Sequence, residues 1–515
     1  MRNYLFILLF LSCLTSNAQH FYTELKNIQY QSEFERQQFE RFFIYKETNY
    51  LELLVASDPD GNISISTQLQ EKLDNALGES YAAKLSKKST SKKVKSIYET
   101  IHKEFLDKYV AENFFSSVVK TGSYNCVTAT ALYALAFEKL GIPYSIQEKP
   151  THVYALAYPD SEQIVVESTD PIGGFLAFNE RYKSAFIQQM VKAKLIGSEE
   201  QNTKSLQSLF DEYYFQGADV NVLQLVGIQY MNQGIYDLNI GNTLQAINDF
   251  EKAYLFYPSE KIGYTLLVTY LQYLANSHFT KSRDAIILAR LDNYRKFGIS
   301  TEIILSEFQR AMNMLLIENS NTEGAESFYQ NVIEHASNDS LISELSHRYY
   351  YERARILYNR GDYSKSLSFS SEAVALKPKN QNTESLFISV ISNKHRSTSN
   401  FKTIQDELEK YAQKHEQLMN NKLFAGMLAN TYLVLFAQSY DFRKIKEGEK
   451  YHEMFKSLYE RDMNINQNNV GRAYSIAAVY YFRLGNKKKA LSFLNEGLVI
   501  APGNYELQTR QRMIR

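Results

Sequence analysis

Beyond residue 200, a pattern of small and aromatic residues returns three times. Residues 474–502 carry Tyr474, Ala478, Tyr481, Gly485, Ala490, Leu494 and Pro502. Residues 230–258 carry Tyr230, Gly234, Gly241, Ala246, Phe250, Ala253 and Pro258. Residues 350–378 carry Tyr350, Ala354, Gly361, Tyr363, Ala373 and Pro378, with Ser366 and Ser370 as departures. Small residues at helical spacing let two helices approach closely, and a proline cannot continue the second one. One such pair cannot bury its apolar face alone, so the pattern requires stacked neighbours.

The pattern resembles the tetratricopeptide repeat, a helical hairpin of about 34 residues. Pro258, Pro378 and Pro502 stand about 120 residues apart, room for about three and a half such units between each pair. The expectation for 203–515 is therefore an all-α tetratricopeptide-type solenoid, with weaker repeats around 261–345 and 381–470. A generic helical bundle is the plainer alternative. The resemblance implies a surface for a protein partner and no reaction.

A different logic governs Lys120 to Pro171. Leu132, Leu135, Ala136 and Leu140 recur at three- and four-residue intervals, Asn125 is a good N-cap, and Gly141-Ile142-Pro143 is a stop, predicting an amphipathic helix over 126–140. Cys126 then lies in the first turn, where unpaired N–H groups and the positive end of the helix dipole favour a thiolate. Downstream the period changes to two. HVYALAY (152–158) and IVVEST (164–169) read as strands of a hairpin around Pro159-Asp160-Ser161-Glu162. That hairpin brings His152 and Glu167 to one end of a sheet. A thiol, an imidazole and a carboxylate in that order are the ingredients of nucleophilic acyl chemistry. Their plainer roles are a buried small hydrophobe for the cysteine and a structural donor for the histidine. One cysteine and one nearby histidine are too few soft ligands for a closed zinc site, and no metal or cofactor is implied.

This segment resembles the core of the transglutaminase-like superfamily of papain-fold thiol enzymes. The matching residues are Cys126 opening a helix, the Leu140-Gly141-Ile142-Pro143 turn, His152 on the next strand and Glu167-Ser168-Thr169 closing the one after. The resemblance covers some 50 to 80 residues. It implies Cys126 as nucleophile, His152 as general base and acid, and Glu167 as the orienting carboxylate. The family usually has Asp in the third place, so Asp170 is the reserve candidate.

The chain opens MRNYLFILLFLSCLTSNAQH, an Arg2, an apolar run and a small-residue Ser16-Asn17-Ala18 site. That is the pattern of a secretory signal over 1–18, too short to span a membrane, which would leave an exported protein in the periplasm or outside the cell. A lipoprotein signal acylated at Cys13 is the competing form. With two cysteines in the chain and Cys13 in the signal, Cys126 is left alone, and an unpaired thiol in an oxidising compartment asks for a reason.

The expected organisation is an α+β papain-like, transglutaminase-like N-terminal domain over 19–200 followed by the helical repeats over 203–515. Within the former, 21–115 reads as leading helices. These include one from Val94 to Val110, preceded by a basic linker at 87–93. Ser57 to Asn62 approaches calcium-loop spacing, but its glycine is misplaced and it lacks the closing acid, so a solvated turn is expected. Fifty-seven basic against 57 acidic residues give no field that would draw nucleic acid. The 39 Tyr and absent Trp hint at carbohydrate stacking, though compositional bias explains them more simply. The function expected is a thiol enzyme acting on amide or isopeptide bonds of a protein or peptide, its repeats recruiting a protein partner. The alternative is a non-catalytic protein-binding scaffold on an inert papain-like domain.

Overall fold

The computed structural model describes residues 28–149, 152–168, 175–177, 217–460 and 462–514, and 180–214 in part. The expected signal, with Cys13, and the reserve acid Asp170 lie outside the described residues. The chain forms two compact units, one ending at Asn276 and one beginning at Ser277. Helix dominates both.

The first unit begins with α1 (Glu33–Phe43), α2 (Tyr50–Ala56), α3 (Ile63–Ala76), α4 (Glu79–Ser86) and α5 (Thr90–Phe105). Ser32, Asn49 and Asn62 each accept a backbone N–H at the start of α1, α2 and α3, satisfying donors that the first turn leaves unpaired. The predicted helix over 94–110 is displaced. It begins at Thr90, absorbing part of the basic linker, and stops at Phe105 because the next residues pair as strands. Lys108–Tyr109 (β1) runs parallel to Ser123–Tyr124 (β2), on either side of the single turn α6 (Ser117–Lys120). The 57–62 turn is solvated only in part: Pro59, Asp60 and Asn62 are exposed, but Asp58 is buried, accepting from Ser116 Oγ and, at 3.2 Å, from Lys120 Nζ.

Then comes α7 (Cys126–Leu140), within the predicted bounds. Its N-cap is a reciprocal box in which Asn125 Oδ1 accepts from Thr128 N (2.9 Å) and Thr128 Oγ1 from Asn125 N (2.8 Å). Gly141 ends it at φ 61°, a left-handed value that glycine adopts without strain. The expected single apolar stripe is corrected, since every residue from Val127 to Ala134 is buried. The reason is that α7 is covered on more than one side: Thr130 Oγ1 donates to Val153 O in the sheet (3.2 Å), while Tyr133 stacks on Tyr98 of α5 at 5.8 Å.

The sheet has five antiparallel strands in the order β6-β5-β4-β3-β7. They are β3 (Tyr144–Lys149), β4 (His152–Ala157), β5 (Ile164–Val166), β6 (Phe175–Ala177) and β7 (Ala218–Val220). The predicted hairpin is present, with Ala155 opposite Val166 and Ala157 opposite Ile164. The last strand was not foreseen. It follows α8 (Ser198–Thr203) and α9 (Leu206–Tyr214), and Val220 pairs with Ile146. Pairing with β3 carries the first unit past the expected boundary near residue 200. Three further helices belong to it, α10 (Val222–Asn239), α11 (Thr243–Phe256) and α12 (Glu260–Ala275). A papain-like α+β domain is accordingly not shown as such, because the strands are few and short and helices supply much of the core.

The second unit is a succession of helices. They are α13 (Ser282–Arg290), α14 (Thr301–Met312), α15 (Thr322–His335), α16 (Asp339–Asn359), α17 (Tyr363–Leu376), α18 (Gln381–His395) and α19 (Phe401–Lys414). They continue as α20 (Lys422–Asp441), α21 (Ile445–Leu458), α22 (Gln467–Arg483), α23 (Lys487–Ile500) and α24 (Tyr505–Ile514). One apolar core runs from Leu367 to Ile514. The three foreseen repeats fall on hairpins, α10/α11, α16/α17 and α22/α23. The serine departures in the second of these are fully buried, Ser366 Oγ donating to Ala354 O at 2.8 Å and Ser370 Oγ to Leu367 O at 3.1 Å. A small side chain that satisfies its own hydroxyl keeps the close helix approach that alanine would give.

Candidate functional site

Three of the four residues singled out by sequence come together in the first unit. His152 is the first residue of β4 and Glu167 the first after β5, and the antiparallel register sets them at the same end of the hairpin. His152 Nε2 lies 2.5 Å from Glu167 Oε2, with side-chain exposures of 24% and 20%. Both groups are reachable by solvent yet largely desolvated, so the contact is stronger than an exposed pair would be. Cys126 is half-buried at the entrance to α7, where the residues after it are sealed. Its thiol lies near enough to His152 to help raise the pKa of the imidazole.

Burial alone would lower the pKa of His152. The nearby Cys126 thiol and the contact with Glu167 outweigh it and carry the imidazole up to about 9. At neutral pH the ring is therefore an imidazolium paired with the Glu167 carboxylate, with the Cys126 thiol nearby. Chemically, that arrangement can hold a proton next to the thiol and release it to a departing group.

Sequence reasoning missed the supports. Asn125 Nδ2, besides the cap made by its oxygen, donates to Ala111 O at 3.1 Å. Tyr236 Oη, from α10, donates to the same carbonyl at 2.5 Å. On the same helix, Gln229 Nε2 donates to Asn113 O (2.9 Å) and Gln233 Nε2 to Ser57 O (3.0 Å). Residues 229, 233 and 236 share a helix face, so a helix foreseen as part of a repeat holds both the 111–113 segment that meets the N-cap of α7 and the turn at Ser57. Its sequence signal was a polar stripe on an otherwise apolar helix. Two phenols stand near the sulfur: burial raises the pKa of Tyr236 to about 12, with Glu112 and Cys126 adding to it, and that of Tyr109 also rises, from burial and then Cys126. Among the described residues there is no group of three histidine, cysteine or acidic side chains placed to hold a metal ion.

The class of the chain comes from its helical hairpins. Residues 347–380, on α16 and α17, match the tetratricopeptide repeat family, at the place where sequence spacing put the repeat 350–378. The protein thus carries at least one tetratricopeptide repeat within a helix-dominated fold, and no helix among the described residues is long and apolar enough to cross a membrane.

Similar solved structures include PilF of Pseudomonas aeruginosa, at 15% identity over 56% of this chain and 97% of that one, with a TM-score of 0.20. A tetratricopeptide repeat protein of Parabacteroides merdae follows at 9% identity, 56% and 98% coverage and a TM-score of 0.17. The tetratricopeptide repeat domain of P58(IPK) has 10% identity, 87% and 97% coverage and a TM-score of 0.18. At these TM-scores no residue is carried over from them. No curated protein matches the chain. None of these likenesses is to a transglutaminase-like or papain-like protein, so that assignment is not shown.

Proposed function

We propose that this protein is a binding scaffold whose helical hairpins hold a protein or peptide partner. The observation that carries this is the family match at 347–380, falling on a formed hairpin. Stacked repeats present an extended surface and contribute no chemistry of their own. Chemical cross-linking of the full chain in extracts of its source, with cross-linked sites mapped by mass spectrometry, tests it. Partner cross-links on the hairpins are expected, and cross-links confined to residues 28–200 would reject the scaffold.

A second function, thiol-dependent acyl chemistry, is favoured by the convergence of Cys126, His152 and Glu167. In it the sulfur attacks a carboxamide or peptide carbonyl, forming a thioester, and His152 passes its proton to the departing amine. Water or a second amine then takes the acyl group, giving hydrolysis, deamidation or cross-linking according to which one enters. In this chemistry backbone N–H groups near Cys126 would stabilise the oxyanion, and Glu167 would orient the imidazole. Export through the segment 1–18 belongs to the same proposal, and N-terminal sequencing of the mature protein tests it. The chemistry predicts that Cys126 alkylation by iodoacetamide at pH 7 slows about tenfold or more in His152→Ala. Equal rates in the two proteins would leave the binding function alone.

A further inference from the structure

Near its C-terminal end the second unit has a cavity of about 640 Å³. It lies on α20, α22 and α24, the first helices of two successive hairpins and the helix that follows them. Ile476, Val479 and Tyr480 form an apolar stretch on one face of α22, with Tyr440 of α20 beside it, its ring 5.6 Å from that of Tyr480. Three guanidinium groups line the same space, those of Arg443, Arg483 and Arg510. One lining carboxylate, Asp441, is already engaged by Arg472 at 3.0 Å, and Arg510 by Glu506 at 3.1 Å. Arg443 and Arg483 are exposed and have no ionic partner among the described residues. A chain whose overall charge balances therefore has a local cationic excess around an apolar floor.

The turn that carries Arg443 adds a second observation. Four hairpins, α10/α11, α16/α17, α20/α21 and α22/α23, share a three-residue turn whose middle residue has a left-handed backbone. In three of them it is glycine: Gly241 at φ 85°, Gly361 at φ 79° and Gly485 at φ 77°. In the fourth it is Arg443 at φ 58°. A side chain there is strained, and strain retained at one of four equivalent positions points to a use for that side chain.

We propose that this groove docks an acidic peptide segment, its carboxylates pairing with Arg443 and Arg483 while an apolar side chain between them rests on Ile476, Val479 and Tyr480. This rests on the binding-scaffold function and names the chemistry of its partner. A peptide suits the groove better than a nucleic acid, because aliphatic Ile476, Val479 and Leu484 share the lining with the two tyrosines and a carboxylate, Asp441, lies among them. Arginine meets carboxylates through two parallel hydrogen bonds, and an exposed aromatic, Phe442 at 74%, stands next to Arg443 to extend the apolar contact.

The test uses the full chain as bait for a displayed library of random twelve-residue peptides, in parallel with Arg483→Glu and Arg443→Gly. The wild-type chain is expected to enrich peptides with two or more acidic residues around an apolar one. Arg483→Glu should weaken the best of them about tenfold or more. Arg443→Gly should weaken it severalfold while leaving Tm unchanged or raised, since glycine relieves the turn. Enrichment of neutral or basic peptides, or equal binding by the variants, would overturn the groove and leave the scaffold standing. Displacement of the peptides by a single-stranded oligonucleotide in an Arg483-dependent way would overturn the peptide as occupant. No enrichment by any of the three proteins would overturn the groove as a peptide site, while the scaffold stands or falls by the cross-linking test.

Discussion

Glu35 and Lys252 face each other with neither side chain exposed, Nζ standing 2.8 Å from Oε1. The ammonium approaches off the line of a hydrogen bond, so the attraction is between charges. Tyr230 Oη donates to the same Oε1 at 2.7 Å, and Gln31 N to the other carboxylate oxygen at 2.5 Å. This cluster fastens α1 to α10 and α11 within the first unit. Asp249 Oδ1 stands 3.7 Å from the same Nζ, so removing Lys252 leaves two buried acids without their cation. Lys252→Met should therefore cost about 3–5 kcal/mol in urea unfolding of the full chain. Adding Glu35→Leu should restore only part of it, because Tyr230 and Gln31 then lose their acceptor. A loss below about 1 kcal/mol in the single variant would show the charges to be solvated.

The His152–Glu167 contact predicts a pH dependence. The folded-state imidazole titrates near 9, above its ordinary 6.5. Its contribution to stability is therefore complete below about pH 6.5 and is lost as pH rises through 9. In Glu167→Gln the midpoint should fall toward 6.5 and the loss of stability over that window should shrink. Carbon-13 labelled histidine followed by NMR reads the midpoint. An unchanged value in the variant would mean that Glu167 does not hold the proton there.

Asn125 does two things at the start of α7, accepting from Thr128 N and donating to Ala111 O. Asn125→Ala should cost about 1 kcal/mol for the lost cap and change the rate of Cys126 alkylation by loosening the first turn. Asn125→Asp keeps the acceptor and loses the donor, so it should recover most of the stability. If Asp behaves like Ala, the contact to Ala111 is the one that matters.

At Gly234 an added Cβ would lie 2.5 Å from the Phe250 ring, where α10 and α11 pack. Alanine gains about 1 kcal/mol of helix propensity, but overpacking there costs about 1–3 kcal/mol. Gly234→Ala should thus lower Tm. Gly503→Ala, which meets nothing within 4 Å, should leave it unchanged. Equal Tm values would mean that Phe250 can rotate away.

What was legible in the sequence was local. Asn125 and Gly141 bracket α7 as read, the 152–166 hairpin forms around its turn, and the repeats fall on helices, because a cap, a stop or a period is written within a few residues. The fate of Asp58, read as solvated, was not legible, since Ser116 and Lys120 lie some 60 residues away and carry no periodic mark. The end of the 94–110 helix was misplaced for the same reason, β1 being fixed by its partner β2.

The sequence by itself determined the α7 helix with both its ends, the 152–166 hairpin, the candidate trio of Cys126, His152 and Glu167, and the repeat that the family match then found at 347–380. Tertiary structure alone decided that Val220 closes the sheet, that Tyr236 reaches Ala111 across 125 residues and Gln229 reaches Asn113 across 116, and that Arg443 and Arg483 share a groove. Contacts of that span depend on how elements pack in three dimensions. A one-dimensional pattern records only which face of an element is apolar, not what will cover it.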